Sequence, residues 1–538
     1  MNRVVPYLAV ITVFALTEGP RLSGRALPAL HAAPAAVEVT AALHHDVSRP
    51  LRDIPSAPSA RRLTERPLRV IPGEQALKPV PDGALQTSPL AVLAPTAALN
   101  IAGIGQGDYR YTVLYAPPDT NGAVGATQYV QWVNVDFAVF DKATGAIALG
   151  FPKPGNTLWA GFGGGCETNN DGDPIVQYDK LAGRWILTQF SVSTTPYLQC
   201  VAVSMTSDAT GSYNRYAFSY GNTDFPDYPK LGVWPDAYYI TYNIFANGQT
   251  FSGPKICAFD RTAMLAGAGA TQQCFQLGTT VHSLLPSDLD GTTAPPTGAP
   301  NVLARITTSS ALQFWMFHVD WANPANTTLT GPTTLTVGSY TRACSGGTCV
   351  PQPGTRQQLD SLADRAMYRF SYRNFGTRES WLLNHSVATG IARNRPVGSG
   401  IRWYELVPAL VPAGTSLSFV QQGTFAPDAD YRWMGSIAQD KVGNIAVGYS
   451  VSSGATHPAV RIAAHAPSDP VGQLGGEVSI VEGGGSQLRN LSRWGDYSAM
   501  TIDPADDCTF WYTNEYLKTD GTFNWSTRIA SFKLPGCF

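Results

Sequence analysis

A recurring phrase, about 50 to 76 residues long, constrains the fold of this chain more than any other feature. Each copy has a polar start with Asp and often Gly, then a short strand, a turn bearing Asp or Asn, and an aromatic-rich strand. Copies begin near residues 121, 172, 230, 288, 364, 435 and 495. A strand-rich unit of this length is typical of propeller blades and is too long for helical repeats.

The repeat predicts an all-β fold, a seven-bladed β-propeller with four-stranded antiparallel blades over residues 105–538. Small residues such as Gly122 and Ala123 begin the predicted innermost strands, where strands crowd around an axis. Phe137–Gly145 runs from a strand into a glycine-bearing turn, as an outer hairpin would. Six or eight blades, or two sandwich domains, are the alternative arrangements.

Composition supports this fold class and excludes some functions. The 538 residues are 44% hydrophobic and 11% aromatic, which is ample for a large core. Charged residues make up 14% of the chain, against a typical value of about 25%, and the net charge is −2. A nucleic-acid-binding protein needs a basic surface to displace counterions, so this balance argues against that class.

The N-terminus predicts export. Arg3 supplies a positive end, and Val4–Leu16 is an apolar run of 13 residues, long enough for a signal peptide and short for a membrane span of about 20. We assign residues 1–33 as a signal peptide and expect a secreted or periplasmic protein. No second stretch is apolar enough to span a bilayer, and a monomer is expected.

The eight cysteines fall into pairs that are close in sequence. Nearest-neighbour pairing is one of the 105 possible connectivities. No Cys-x-x-Cys spacing or matching histidine pattern is present, so structural disulfides are favoured over zinc. The predicted pairs are Cys166–Cys200, Cys257–Cys274, Cys344–Cys349 and Cys508–Cys537.

Residues 34–104 differ in composition from the repeat region. They are rich in Pro, Ala and Arg, with no sustained strand or helix period. We interpret them as a disordered, low-complexity linker or a pro-segment.

Five short phrases of the repeat are distinctive: Pro117–Gly122, Gly172–Pro174, Lys230–Asp236, Met434–Ala438 and Arg493–Ser498. They resemble those of a family of exported bacterial proteins that are predicted to be propeller-like and have no assigned activity. The resemblance covers most of residues 105–538, supports the fold and export, and implies no catalytic residues. The chain is loosely similar to sialidase-like propellers too, but it lacks their Arg-Ile-Pro signature and a complete Asp-box, which argues against sialidase activity.

Standard catalytic motifs are mostly missing from the sequence. It contains no Gly-x-Ser-x-Gly elbow, no His-Glu-x-x-His and no P-loop. Asn169–Asp173 is rich in side-chain oxygens and has a glycine turn, so a structural calcium ion is one interpretation. A turn in which Asx side chains bond to their own backbone is the other, and no metal ligands are assigned.

Charged residues recur just before the predicted innermost strands, where blades converge at one mouth of the channel. Carboxylates, arginines and flat aromatics in one funnel suit a polar ligand with rings, above all a sugar. The arginines occur only in the last three copies, which makes them better functional candidates than aspartates that recur in nearly every copy. Candidate catalytic residues are Asp496, Asp364 and Tyr497, and candidate ligand-binding residues are Arg365, Arg432, Arg493, Trp433, Trp494, Asp173 and Asp227.

Two functions follow from this funnel. The first is binding and cleavage of an extracellular glycan, as a glycoside hydrolase or a polysaccharide lyase. The second is a non-catalytic lectin-like or adhesion propeller that uses the same funnel. A hydrolase of peptides or esters is a weaker third possibility, because no nucleophile–base pair is visible. A purely structural role for the recurring aspartates, as caps of turns and ties between blades, competes with all three.

Overall fold

The computed structural model describes Met1 and residues 36–58, 63–71, 78–307, 309–409 and 416–538. The predicted signal peptide, apart from Met1, lies outside the described residues. Those from residue 36 onward belong to the unit Ala35–Phe538, whose regular structure is almost entirely β.

Three antiparallel sheets follow one another through the first half of the chain. Sheet A has four strands, and sheets B and C each carry four consecutive strands and a fifth from the N-terminal region. Sheet A comprises Thr120–Val124, Gln128–Val133, Asp136–Asp141 and Lys153–Pro154. Sheet B comprises Ile175–Asp179, Arg184–Ser191, Leu198–Ser204, Tyr213–Ser219 and His44–Val47. Sheet C comprises Asp224–Val233, Tyr238–Ala246, Thr250–Phe259, Thr271–Gln276 and Glu38–Ala41.

Sheet D has nine strands, because the first strands of two four-stranded antiparallel runs pair with each other in parallel, Ser287 opposite Phe370. The first run comprises Leu285–Asp290, Asn301–Ile306, Ala311–His318 and Thr328–Thr336. The second comprises Met367–Asn374, Glu379–Val387, Gly400–Pro408 and Leu417–Phe425, with Leu85–Gln86 at its outer edge.

Two four-stranded sheets complete the fold. Sheet E is formed by consecutive strands, whereas sheet F takes its outermost strand from the N-terminal region. Sheet E comprises Tyr431–Gln439, Ile445–Ser452, Ala459–His465 and Val478–Val481, and sheet F comprises Ala499–Ile502, Thr509–Leu517, Trp525–Lys533 and Thr96–Ala102.

The first strand of each four-stranded run, here called an inner strand, contacts the inner strand of the next run along the chain. The inner strand of sheet F contacts that of sheet A, so these contacts form a closed circle. The inner strands begin at residues 120, 175, 224, 285, 367, 431 and 499, each within about six residues of a predicted copy start. The sequence repeat and the repeated four-stranded unit therefore coincide.

The N-terminal region differs from the disordered linker that its composition predicts. Its described residues add strands to the outer edges of sheets B, C, D and F, with Thr96–Ala102 antiparallel to Trp525–Lys533. An outer sheet edge presents unpaired N–H and C=O groups, which any extended backbone satisfies. Such pairing needs no hydrophobic period, which explains why the composition did not predict it.

Large aromatic side chains fill the space within and between the sheets. Trp132, Trp185, Trp403 and Trp525 are all at most 1% exposed. All four predicted disulfides are confirmed, each joining the two cysteines nearest in sequence. Disulfides are consistent with an extracellular protein.

The remaining elements are short. Among the described residues, none of the helices is long and apolar enough to cross a membrane. The α-helices are Gly164–Thr168 and Arg261–Ala266, and the 3-10 helices are Leu51–Asp53, Asp108–Arg110, Gly155–Trp159, Pro324–Asn326 and Ala343–Gly346. Two-stranded pairs are Thr64–Glu65 with Tyr115–Ala116, Thr348–Val350 with Leu359–Asp360, and Gly390–Ala392 with Arg395–Val397.

Candidate functional site

Charged residues from several inner-strand starts meet in one cavity of about 140 Å³, here called the central cavity. Three of its residues, Asp119, Asp173 and Tyr228, adopt left-handed backbone angles, with φ of 43°, 45° and 56°. Such angles are unfavourable for a bulky side chain and are often found at ligand sites. The predicted residues that line the cavity, together with Asp119, are Asp173, Asp227, Arg365, Arg493 and Asp496.

Two of the four arginines that line the central cavity, Arg365 and Arg493, are held by carboxylates of the protein. Arg365 donates from Nε and Nη2 to the two oxygens of Asp364, at 2.8 and 2.9 Å. Arg493 donates from Nη1 to Asp360 at 3.0 Å and from Nη2 to Asp496 at 2.6 Å. Because these guanidinium groups are held by the protein, they are poorly placed to capture a ligand carboxylate.

The other carboxylates of the cavity crowd one another. Burial raises the pKa of Asp119 well above its ordinary value, and Asp496 and Asp173 raise it further. Burial, followed by the charge of Asp173, raises the pKa of Asp227 to about 7. The pKa of Asp173 is raised by burial as well, against the opposing effect of the Lys230 ammonium group. The cavity thus holds a carboxyl group that titrates near neutral pH.

Lys230, which is not among the site residues predicted from sequence, is a buried cation beside this cluster. Its ammonium group lies 3.5 Å from the centre of the Tyr228 ring and 4.1 Å from that of Tyr497. It donates to the carbonyl of Pro229 at 2.9 Å, and burial lowers its pKa to about 8. A lysine within the otherwise uncharged stretch Tyr228–Val233 of an inner strand was the signal available in the sequence.

An N-terminal segment, residues 63–71, crosses the mouth of the cavity and is called the strap. The strap N–H of Arg66 donates to the carbonyl of Ala116, and the carbonyl of Arg66 accepts from Arg493 Nε at 3.2 Å. The Arg69 guanidinium lies 3.7 Å from the centre of the Phe225 ring and 3.3 Å from Asp227. Two strap arginines therefore cover the acidic cluster.

The other predicted site residues lie outside the lining of the central cavity. Arg432 is fully buried and pairs with Asp428 and Glu477. Trp433 and Trp494 are likewise buried, with ring centres 5.6 Å apart. Asp364 supports Arg365, and Tyr497 is 1% exposed and donates its hydroxyl to the carbonyl of Pro174 at 3.0 Å.

The loop Asn169–Asp173 bonds mainly to donors of the protein. One oxygen of Asp171 accepts from the N–H groups of Val192 and Ser193 at 2.6 and 2.7 Å. Asn170 donates to the carbonyl of Val135. No group of three or more metal-ligating side chains is found in the part of the chain that the structure describes. These side chains bond to residues distant in sequence rather than to their own backbone, so the contacts differ from the Asx-turn interpretation of the loop.

We predict that Asp227→Asn raises the melting temperature more at about pH 8 than at about pH 5. Because the pKa of Asp227 in the folded protein, about 7, exceeds its ordinary value of 3.8, folding takes up protons between these values. Ionisation of this carboxyl group therefore costs stability as pH rises through about 7, and asparagine removes that cost. Calorimetry of both proteins at about pH 5 and about pH 8 tests the difference, because titrations that the two proteins share cancel in it. An equal shift at both pH values would contradict the prediction.

No protein family and no curated protein matches the chain. Among solved structures, an ulvan lyase of the polysaccharide lyase family PL25 is 10% identical, with a TM-score of 0.35 over 81% of this chain and 92% of that one. The N-terminal domain of Nup159 is 10% identical, with a TM-score of 0.33 over 88% and 100%. An exo-β-1,3-galactanase from Clostridium thermocellum is 11% identical, with a TM-score of 0.30 over 81% and 87%. These resemblances are too distant to indicate an activity.

Proposed function

We propose that this chain is an exported, monomeric seven-bladed β-propeller that binds and cleaves an extracellular glycan at the central cavity. The closed circle of inner-strand contacts supports the blade count. The observation that carries the activity is the convergence of Asp227, whose pKa is about 7, and Asp496 on one cavity. A carboxyl group that keeps its proton near neutral pH, beside a second carboxylate, is the pairing that glycoside cleavage uses.

In this proposal Asp227 is the general acid and donates a proton to the leaving oxygen. Asp496, whose orientation is set by Arg493, is the second carboxylate. The glycosidic C–O bond breaks, water adds to the anomeric carbon, and the proton that this water loses returns to the carboxylate pair. Asp173 and the buried Lys230 contribute opposite charges close to these two carboxyl groups. Arg365 holds Asp364 in place.

The charge of the cavity narrows the glycan class. Asp119, Asp173, Asp227 and Asp496 line the cavity, whereas the two lining arginines outside the strap are already bound to carboxylates. An acidic sugar would meet repulsion there. The proposal is therefore a neutral glycan, and hydrolysis is favoured over lyase chemistry on an acidic sugar.

The strap must leave the central cavity before a sugar can enter. The cavity measures about 140 Å³ with the strap in place, below the roughly 300–1,000 Å³ typical of small-molecule sites. The strap's ion pairs are long, at 3.7 Å for Arg66–Asp171 and 3.3 Å for Arg69–Asp227, and both arginine side chains are about 30% exposed. Partly exposed pairs of this kind contribute little, about 0–1 kcal/mol each, so these two ion pairs are a weak barrier to displacement of the strap.

The test is a cleavage assay on a panel of soluble neutral polysaccharides. We expect Arg69→Ala to raise the rate by loosening the strap, and Asp227→Asn or Asp496→Asn to reduce it by about 10²–10⁴-fold in either background. Arg52→Ala, which removes another N-terminal arginine from a surface ion pair with Asp208, is the matched control and should leave the rate unchanged. Binding without products from any glycan would instead support the lectin-like alternative.

A further inference from the structure

A second cavity lies on the outer side of sheet A, away from the central acidic cluster. It measures about 480 Å³ and is called the tyrosine cavity, because Tyr109, Tyr111 and Tyr115 line it together with Phe151. This volume lies within the range of small-molecule sites, roughly 300–1,000 Å³. Unlike the central cavity, the tyrosine cavity reaches this size while the strap is in place. A ligand of the size of one or two sugar rings can therefore enter without any rearrangement at the central cavity.

The polar groups of the tyrosine cavity include one half-buried carboxylate. Asp136 accepts a hydrogen bond at Oδ2 from the Tyr111 hydroxyl at 2.9 Å. Within the described residues, no hydrogen bond reaches its other oxygen, Oδ1. A carboxylate oxygen at a cavity wall is a strong acceptor for a ligand hydroxyl group, stronger than a neutral acceptor.

The rim adds a cation and a second hydroxyl. Arg110 is exposed and lines the cavity, and it forms no ion pair with any residue of the described ranges. The Tyr115 hydroxyl makes no hydrogen bond to a described residue either, while its ring lies at the cavity wall.

Tyr109 and Arg110 both adopt left-handed backbone, with φ of 51° and 61°, a conformation that costs a non-glycine residue about 1–2 kcal/mol. Strain of this kind often accompanies a ligand site.

This combination matches the two faces of a pyranose ring. The ring has an apolar C–H face that packs against aromatic side chains and an edge of hydroxyl groups that bond to carboxylate, guanidinium and phenol. A quaternary ammonium ion, which aromatic cages also bind, would leave Arg110 beside a like charge. Arg110 opposes a cation and the Asp136 carboxylate opposes an anion, so the two together favour a neutral polyol.

A third cavity of about 390 Å³ adjoins both the tyrosine cavity and the central one. It shares Tyr115 and Asn170 with the tyrosine cavity, and Arg66 and Ser193 with the central cavity. The three cavities therefore lie in a row, called the groove, from the outer side of sheet A to the mouth of the acidic cluster. A groove with sites at both ends suits a chain of sugars rather than a single sugar.

We propose that the tyrosine cavity is a distal subsite that binds a sugar unit of a neutral polymeric glycan, whose chain follows the groove to the central cavity. The subsite itself stands on the tyrosine cavity alone, whereas the assignment of a polymer as substrate rests on the proposed function. Asp136 and Tyr115 are the residues assigned to bind the distal sugar.

The experiment is isothermal titration of the full chain with cellotetraose, maltotetraose, and soluble β-linked galactan and arabinan. Asp136→Asn keeps the shape of the side chain and Tyr115→Phe removes only a hydroxyl group, so both should fold with a melting temperature near that of the wild type. We expect each to weaken the binding of the best glycan by about tenfold or more. Asp224→Asn, which changes another half-buried aspartate at the start of a strand, should bind as the wild type does.

Two results would overturn the subsite. One is equal affinity of the wild type, Asp136→Asn and Tyr115→Phe for every glycan that binds, and the other is no binding of any glycan by the wild type. Tighter binding of choline than of any glycan would assign the cavity to a cation and contradict the proposal as well.

The same variants separate the subsite from the proposed catalytic function. If Asp136→Asn weakens binding while Asp227→Asn leaves cleavage unchanged, the subsite stands and the proposed acid at the central cavity is wrong. If Asp227→Asn abolishes cleavage while Asp136→Asn binds every glycan as the wild type does, the central site stands and the subsite is wrong.

Discussion

Replacing Arg369 by methionine is expected to lower the free energy of unfolding by about 3–5 kcal/mol. Arg369 is fully buried where inner strands meet, and its guanidinium pairs with Asp288 and Asp290 and donates to the carbonyl of Met500 at 2.9 Å. Its charge, with that of Lys180, lowers the pKa of Asp290 in spite of burial. Methionine would fill the space but leave two buried carboxylates without their main counter-charge.

Urea unfolding of the wild type and the variant measures this effect. Arg52→Met is the matched control, because Arg52 and its partner Asp208 are 53% and 42% exposed, and loss of such a pair costs about 0–1 kcal/mol. Adding Asp288→Asn to Arg369→Met should restore part of the loss by removing one uncompensated charge. A loss below about 1 kcal/mol for Arg369→Met would show that the buried cluster is not a main contributor to stability.

Removal of the strand Thr96–Ala102 is expected to be the second large effect. A chain that begins at Gly103 loses the outer strand of sheet F, whereas a chain that begins at Pro95 keeps it. Each backbone hydrogen bond contributes about 0.5–1.5 kcal/mol, so losing the ladder to Trp525–Lys533 should cost several kcal/mol. It would also expose a long strand edge that can pair with other chains and aggregate.

Thermal unfolding and size-exclusion chromatography of the two truncated chains test this prediction. Both lack the strap and the strands before residue 95, so their difference isolates the strand Thr96–Ala102. We expect a lower melting temperature and more aggregate for the chain that begins at Gly103. Equal melting temperatures would contradict the prediction and would permit removal of the whole segment 34–104 in a processed protein.

The candidate site was predicted in part. Asp173, Asp227, Arg365, Arg493 and Asp496 line the central cavity because each stands near the start of an inner strand, and position within a repeat can be read from sequence. The carboxylate partner of each arginine could not be predicted from its position within the repeat. Arg432 stands near the start of an inner strand as well, but Glu477 lies 45 residues further along the chain and binds it.

Local sequence alone determined the repeated four-stranded unit, the four disulfides and the recurrence of charge at one end of the inner strands. These features depend on alternation, turns and spacing over tens of residues, which every copy repeats. Only the tertiary structure decided that the low-complexity N-terminal region closes sheet F, that its strap covers the acidic cluster, and that Lys230 lies between two tyrosine rings. Those features depend on contacts between residues more than 100 positions apart or on burial, which no local pattern encodes.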